Sequence, residues 1–283
     1  MTRCLTRLGW LVAALLTLLA GCATTTPGGV PIDTEYHSKS QDSRVLFLIL
    51  HYTVGDFQSA LRTLTEGNVS AHYLVSDETP PRIYRLVPEE RRAWHSGASG
   101  WQRHRLLNAS SIGIEIVNPG PRPGPLRPDG TRDTVFVPFQ EAQIEALIPL
   151  VKDIVARHRI RPEFILGHGE VTPSYKEDPG PAFPWRRLAQ LGITPPWPDA
   201  ERVQDRLAYY QAALPDLAWF ERKLAEHGYP IDADAPLDKP GQRKLLERVM
   251  MNFQMRYRPA KYDGQPDAES AAILDVLTSR SAP

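Results

Sequence analysis

The chain has 283 residues, 42% hydrophobic and 23% charged, the make-up of a folded protein of one large domain or two smaller ones. Its 33 Lys plus Arg balance 33 Asp plus Glu, so it lacks the basic excess of a nucleic-acid binder. Two cysteines exclude a disulfide-rich scaffold and a four-cysteine zinc module, and 27 prolines call for many loops and extended segments.

Arg3 and Arg7 precede an apolar run over 8–20. The run is shorter than the roughly 20 residues of a spanning helix and reads as the core of a secretory signal. It ends in Leu19-Ala20-Gly21-Cys22, which resembles the bacterial lipobox. That resemblance implies removal of residues 1–21 and acylation of Cys22, and so attachment to a membrane. Cys4 leaves with the signal, so the mature chain carries no free thiol. Ala23, in place of an Asp, favours the outer membrane, facing the periplasm. Residues 22–43 are polar with Gly and Pro and read as a flexible tether.

Residues 45–50 (VLFLIL) form a continuous apolar run, the pattern of a strand buried on both faces. Residues 56–66 predict a short helix with Phe57, Leu61 and Leu64 on one face. Segments 72–76 and 83–87 read as strands parted by the turn signal Thr79-Pro80-Pro81. Residues 112–117 alternate, with Ile112, Ile114 and Ile116 on one face and Gly113, Glu115 and Val117 on the other. Residues 119–133 are rich in Pro and Gly and read as a loop. Residues 140–158 place Ile144, Leu147, Ile148, Val151, Ile154 and Val155 at helical spacing. A short strand at 163–167 leads into a Pro-rich loop. Strands and helices intermix, so residues 44–193 predict a mixed α/β domain. Residues 194–200 form a Pro-rich linker. Past it, helices are predicted at 201–213, 216–227, 242–257 and 267–279, the last capped by Asp267. They make a small all-α domain over 201–283.

Metal-type side chains stand at the strand ends. His51 follows the first strand, His168 follows the strand at 163–167, and Asp178 lies in the loop beyond. Three such ligands would leave a fourth zinc position open for catalysis. A His on a buried strand needs partners for its ring nitrogens. Metal coordination is one solution and a local hydrogen bond is another, and spacing does not choose between them.

The segments FLILHYTVGD (47–56), NVSAHYLVSD (68–77), RAWHSG (92–97), LNASSIGIEIVN (107–118) and ILGHGEVTPSYKEDPGPAFPW (165–185) occur in this order. They resemble the zinc-dependent N-acetylmuramoyl-L-alanine amidases of the type-2 family, which share a fold with phage-type amidases and peptidoglycan recognition proteins. The resemblance implies a mixed β-sheet flanked by helices and one zinc ion per chain, held by His51, His168 and Asp178. It implies hydrolysis of the amide between the lactyl group of (anhydro-)N-acetylmuramic acid and L-Ala, in peptidoglycan or muropeptides. Glu115 is then the general base and Lys176 the oxyanion stabiliser. Tyr52, His72, Trp94, His95 and Asn108 lie in the same segments. They are expected as substrate contacts, Trp94 as a platform and His95 and Asn108 as donors; packing within the groove wall is the alternative. A non-catalytic recognition protein of this fold is the other functional reading. Such relatives commonly lack a zinc ligand, whereas all three ligands and Glu115 are present here. A cytoplasmic recycling amidase conflicts with the signal.

The order Leu224…Gly228-Tyr229, Phe253-Gln254, then Asp263-Gly264 before the last helix resembles a small three-helix peptidoglycan-binding domain. The stretch 236–240 departs from that pattern. Packing on the catalytic domain is the expectation for this unit, since fold resemblance alone says little about binding. Glu89-Glu90-Arg91-Arg92 reads as a solvated face, and His104 and His158 as surface residues. Nothing demands more than a monomer.

Overall fold

The computed structural model describes residues 23–127 and 129–279. The expected signal and Cys22 lie outside the described residues. The described residues divide into two compact units, one ending at Asp42 and the other beginning at Ser43. In the first, strands β1 (Ala23–Thr25) and β2 (Pro31–Asp33) pair antiparallel. The turn between them rests on Thr26, whose carbonyl accepts from the Gly29 N–H and whose hydroxyl accepts from the Val30 N–H. The stretch expected as a plain tether therefore holds a small hairpin.

The second unit carries strands β3 (Phe47–Tyr52), β4 (Tyr73–Val75), β5 (Ile83–Arg85), β6 (Gly100–Trp101), β7 (His104–Arg105), β8 (Ser111–Ile116), β9 (Pro121–Leu126), β10 (Arg132–Phe136) and β11 (Ile165–Gly167). Five of them form one sheet in the order β11-β3-β8-β4-β5. The pairings are parallel up to β4, and β5 adds antiparallel at the edge. Strand β3 is buried throughout and β8 nearly so, which explains the unbroken apolar run from Phe47 to Leu50; Leu46, just ahead of the strand, is exposed.

Ile112, Ile114 and Ile116 join one core with helix α2 (Glu141–His158), which supplies Ile144, Leu147, Val151 and Ile154. Helix α1 (Phe57–Glu66) starts at Asp56, whose carboxylate accepts from the Ser59 N–H at 2.8 Å. Its Ala60 and Leu64 pack on Leu74 and Val117. His51, Glu115 and Leu74 are register neighbours across β3, β8 and β4 and so share one face. That is the face α1 covers. Each fully buried Leu, Ile or Val contributes about 1.5–3 kcal/mol, so the layers hold this face in a fixed register.

Three expectations change. The loop at 119–133 contains most of the β9–β10 hairpin. Pro121, Pro123 and Pro125 cannot donate to a ladder, but a two-stranded ribbon leaves outward N–H positions where proline costs no bond. Glu89, expected on a solvated face, is a hub. It accepts from the Tyr73 hydroxyl at 2.6 Å and from His158 Nε2 at 2.8 Å, and it pairs with Arg157. The Arg157 guanidinium holds its carboxyl down to about 2. His158 also meets Ser43 Oγ at 2.7 Å, so it is tied in rather than free at the surface.

The later helices are α3 (His168–Val171), α4 (Trp185–Gln190), α5 (Ala200–Ala212), α6 (Leu217–His227), α7 (Gln242–Tyr257) and α8 (Ala268–Thr278). Phe220, Leu224, Val249, Phe253 and Leu274 belong to the same core as Ile165 and Leu166 of β11. Trp197 of the Pro-rich stretch packs on Tyr257, with ring centroids 5.4 Å apart. The hydrophobic core thus runs without a break across residues 194–200. Among the described residues no helix is long and apolar enough to cross a membrane.

Candidate active site

Strands β3 and β11 are parallel neighbours, so the side chains at their C-terminal ends meet. His51 lies near the end of β3 and His168 directly follows β11. The loop beyond α3 returns Asp178, fixed by the Gly169 N–H donating to the Asp178 carbonyl at 2.8 Å. His51 Nδ1 and His168 Nδ1 lie 3.0 and 3.1 Å from the same atom, Asp178 Oδ2. All three residues are buried, and their ligand atoms lie within 4.8 Å of one another.

The proton positions show what this cluster is built for. The Ser111 hydroxyl donates to the Leu107 carbonyl at 2.7 Å. Its single proton is then used, so it accepts from His95 Nε2–H at 3.1 Å. Burial, with His51 next to it, holds His95 well below its ordinary value and hence neutral. Its Nδ1 therefore accepts from His51 Nε2–H at 3.1 Å. Burial, and then His168, lower His51 to about 4. Neutral, with its proton on Nε2, His51 turns the Nδ1 lone pair toward the Asp178 carboxylate. Burial alone would raise Asp178, yet the carboxyl lies far below the usual carboxylate range, held down chiefly by His168. A lone pair facing a carboxylate oxygen at 3.0 Å is repulsive unless a cation lies between them. The donor set, two imidazoles and one carboxylate, suits zinc with one position left open.

Glu115 stands opposite His51 in the β3–β8 register. The residue keeps partial exposure, but its Oε2 is sealed and has no partner among the described residues. Burial, reinforced by Asp178, pushes its carboxyl well above the ordinary value. Lys176, on the ligand loop, acts in the opposite sense. An open cavity of about 190 Å³ joins Glu115, His168, Lys176 and Asp178 to an apolar wall made by Ala60, Leu64 and Val69. Val54 at its rim is 59% exposed and holds a left-handed φ of 58°, a strained conformation for a β-branched residue.

The five expected substrate contacts separate. Trp94, 51% exposed, lines the cavity, and the Arg92 guanidinium lies 3.9 Å above its ring. Tyr52 also lines it and reaches Glu177 with its hydroxyl at 3.5 Å. His72 is fully buried and outside the cavity. Its Nδ1 accepts from the Gly113 N–H at 3.0 Å and its Nε2–H donates to the Arg91 carbonyl at 3.1 Å. A role in substrate contact is therefore closed to it, and it ties β8 to the 91–97 loop. Asn108 Oδ1 accepts from the His95 and Ser96 N–H groups and from the Ser96 hydroxyl. It shapes that loop from behind. His95 lines the wall, but both its ring nitrogens are engaged within the chain.

Sequence reading did not single out Ser111, nor Arg248, Asn252 and Arg256 on α7, which reach the segment carrying His168 and Asp178. The spacing of the three α7 residues puts them on one helix face. Nothing in the sequence says what that face meets.

Residues 41–181 match the family model described as N-acetylmuramoyl-L-alanine amidase. The chain is 44% identical over 97% of its length to N-acetylmuramoyl-L-alanine amidase AmiD of Escherichia coli (strain K12), covering 98% of that protein. Its structure resembles the complex of E. coli AmiD with the substrate anhydro-N-acetylmuramic acid-L-Ala-D-γ-Glu-L-Lys. The TM-score is 0.75 at 42% identity, covering 89% of this chain and 96% of that one. It also resembles AmpDh3 of Pseudomonas aeruginosa in complex with anhydromuramic pentapeptide, with a TM-score of 0.76 at 35% identity, covering 88% and 98%.

Proposed function

The chain belongs to the N-acetylmuramoyl-L-alanine amidase family, and we infer that it is an amidase of that family acting on peptidoglycan and on muropeptides derived from it. The bond cut is the amide between the lactyl group of N-acetylmuramic acid, or its anhydro form, and L-Ala of the stem peptide. The observation that carries this reading is Glu115 Oε2, a buried carboxyl oxygen without a partner among the described residues, beside the His51–His168–Asp178 cluster. An acid–base group kept unpaired at a metal cluster is a feature of catalysis rather than of recognition.

His51, His168 and Asp178 would hold one zinc ion, which when bound supplies a Lewis acid and lowers the pKa of water at the site. With the metal's positive charge and Lys176 offsetting burial and Asp178, Glu115 would be ionised, and its Oε2 takes a proton from the attacking water as that water adds to the amide carbon. Lys176 balances the negative charge that develops on the carbonyl oxygen. Glu115 then passes its proton to the L-Ala nitrogen as the C–N bond breaks. The products are a lactyl carboxylate and a peptide with a free amine. Trp94 and Tyr52 contact the substrate along the groove wall. The test is mass spectrometry of products from muropeptides and from intact sacculi, with metal content measured on the same sample. Release of free stem peptide that ceases with a chelator is expected, and full activity in Glu115→Ala or His168→Ala protein would overturn the reading.

We further propose that residues 1–21 are a signal, that Cys22 is acylated, and that 22–43 tether the enzyme to the outer membrane facing the periplasm. Residues 44–193 then form the catalytic part, 194–200 the linker and 201–283 the helical part, and the enzyme works as a monomer. The Leu19-Ala20-Gly21-Cys22 sequence supports the anchor. Palmitate labelling of the wild type and its loss in Cys22→Ser is the expected result.

A further inference from the structure

Helix α7 lies outside the segments that carry the zinc ligands, and none of its residues lines the active-site cavity. Three residues on one of its faces nevertheless grip the chain between β11 and Asp178. Arg248 Nε donates to the Pro173 carbonyl at 3.2 Å, and its Nη2 donates to the Lys176 carbonyl at 3.0 Å. Asn252 Nδ2 donates to that same Lys176 carbonyl at 3.1 Å. Arg256 Nη1 donates to the Ile165 carbonyl at 3.3 Å and pairs with Glu170 at 2.6 Å. Glu170 in turn accepts from the Gly167 N–H at 2.7 Å, one residue before His168.

The approach leaves no slack. A Cβ on Gly169 would lie 1.9 Å from Asn252 Oδ1, so residue 169 has to be glycine for α7 to sit this close. Arg256 is buried, with its guanidinium 4.1 Å from the Trp185 ring. Loops are normally the mobile part of a fold. Here the loop from 172 to 178 has the Pro173 and Lys176 carbonyls held by side chains from a rigid helix. Lys176 and Asp178, the two functional side chains on that loop, flank the doubly held carbonyl.

We propose that α7 is a positioning element of the metal centre, with Arg248 and Asn252 setting the geometry of Asp178 and Lys176 through the Lys176 carbonyl. The helical part is then a working component of the catalytic unit, whatever it also does toward the wall. This inference rests on the reading that His51, His168 and Asp178 hold the metal. Residues that orient metal ligands without touching the ion typically change metal affinity 10- to 100-fold when removed.

The test measures zinc affinity by competition with a chromophoric chelator on the full chain, alongside melting of the metal-free protein. Arg248→Ala/Asn252→Ala is expected to bind zinc about tenfold more weakly or worse while the metal-free protein still melts cooperatively. Arg248→Lys, which keeps the charge but not the planar fork that spans two carbonyls, is expected to fall between the wild type and Arg248→Ala. Excess zinc should restore part of the lost kcat. Should the double variant fail to fold, Asn252→Ala and Arg248→Lys alone carry the measurement. Zinc affinity within twofold of wild type in folded variants would overturn the inference. A wild-type protein that binds no zinc at these residues would instead overturn the reading beneath it, so the two failures are distinguishable.

Discussion

Glu115 and His51 are register partners on parallel strands, β8 and β3, with their side chains on the same face of the sheet. The backbone ladder therefore sets the distance from the base to His51, with no loop between the two. Because Glu115 Oε2 has no hydrogen-bond partner among the described residues, Glu115→Gln removes the base without breaking an existing contact of that oxygen. The expected outcome is a fall in kcat of about 10²- to 10⁴-fold, the usual share of general acid–base catalysis, with zinc content unchanged. Steady-state kinetics with metal analysis on the same protein checks it. A variant that loses zinc as well as activity would assign Glu115 to the ligand set.

His95 offers a second prediction. The chain from the Leu107 carbonyl through Ser111 and His95 to His51 fixes the His51 proton on Nε2. Ser111→Ala removes the acceptor for His95 Nε2–H and frees the His95 tautomer. Zinc affinity is expected to drop roughly 10- to 100-fold, with a smaller change in KM than in metal affinity. A change confined to KM would return His95 to the role of substrate contact.

The His51, His168 and Asp178 cluster could be approached in the sequence because β-strand ends recur as site positions and these residue types are ligands. The relay behind it could not. His95 sits in a loop with no periodicity, and it reaches its partners because Gly113 has no side chain: a Cβ there would fall 2.5 Å from the His95 ring. The four C-terminal helices were legible in the sequence, the last with its acidic cap Asp267. Their attachment to the ligand loop was not, since Asn252 and Gly169 meet only through tertiary docking. The proline-rich hairpin at 121–136 was hidden because proline is read as a strand breaker, which holds for central strands and not for an isolated ribbon.

His72 and Trp94 should part company on mutation, although both were read as substrate contacts. His72→Ala strands the buried Gly113 N–H, removes the bond to the Arg91 carbonyl and opens a cavity. A loss of about 3 kcal/mol or more is expected, by denaturant unfolding. Trp94→Ala removes a half-exposed ring and should leave stability within about 0.5 kcal/mol, while raising KM. Equal destabilisation of the two variants would contradict the placement of Trp94 on the groove.

Val54 bears on how the groove is shaped. A β-branched side chain in the left-handed region costs about 1–2 kcal/mol, and glycine there relieves it at an entropic cost of about 0.5–1 kcal/mol. Val54→Gly should therefore be as stable as wild type or slightly more so. If the strain serves to hold an apolar side chain at the rim, KM should rise several-fold in the same variant. Unchanged kinetics with raised stability would leave Val54 without a part in binding.

The raised Glu115 carboxyl also makes a statement about stability. Below its ordinary value of 4.5, the folded and unfolded chains both carry the proton and the group contributes no difference. As pH rises past that value, the unfolded chain releases the proton while the buried carboxyl retains it, because burial and Asp178 oppose the charge. The folded state then binds more protons, so stability declines with rising pH, by at most about 1.4 kcal/mol per pH unit. The decline ends once the folded carboxyl itself ionises. Glutamine has no proton to lose. Metal-free Glu115→Gln should match metal-free wild type below the ordinary carboxylate value and be the more stable of the two above it. Urea unfolding of both proteins in chelator, across that pH, measures the difference directly. A constant gap between them at all pH values would mean that Glu115 affects stability through packing and that its carboxyl is not held protonated by its surroundings.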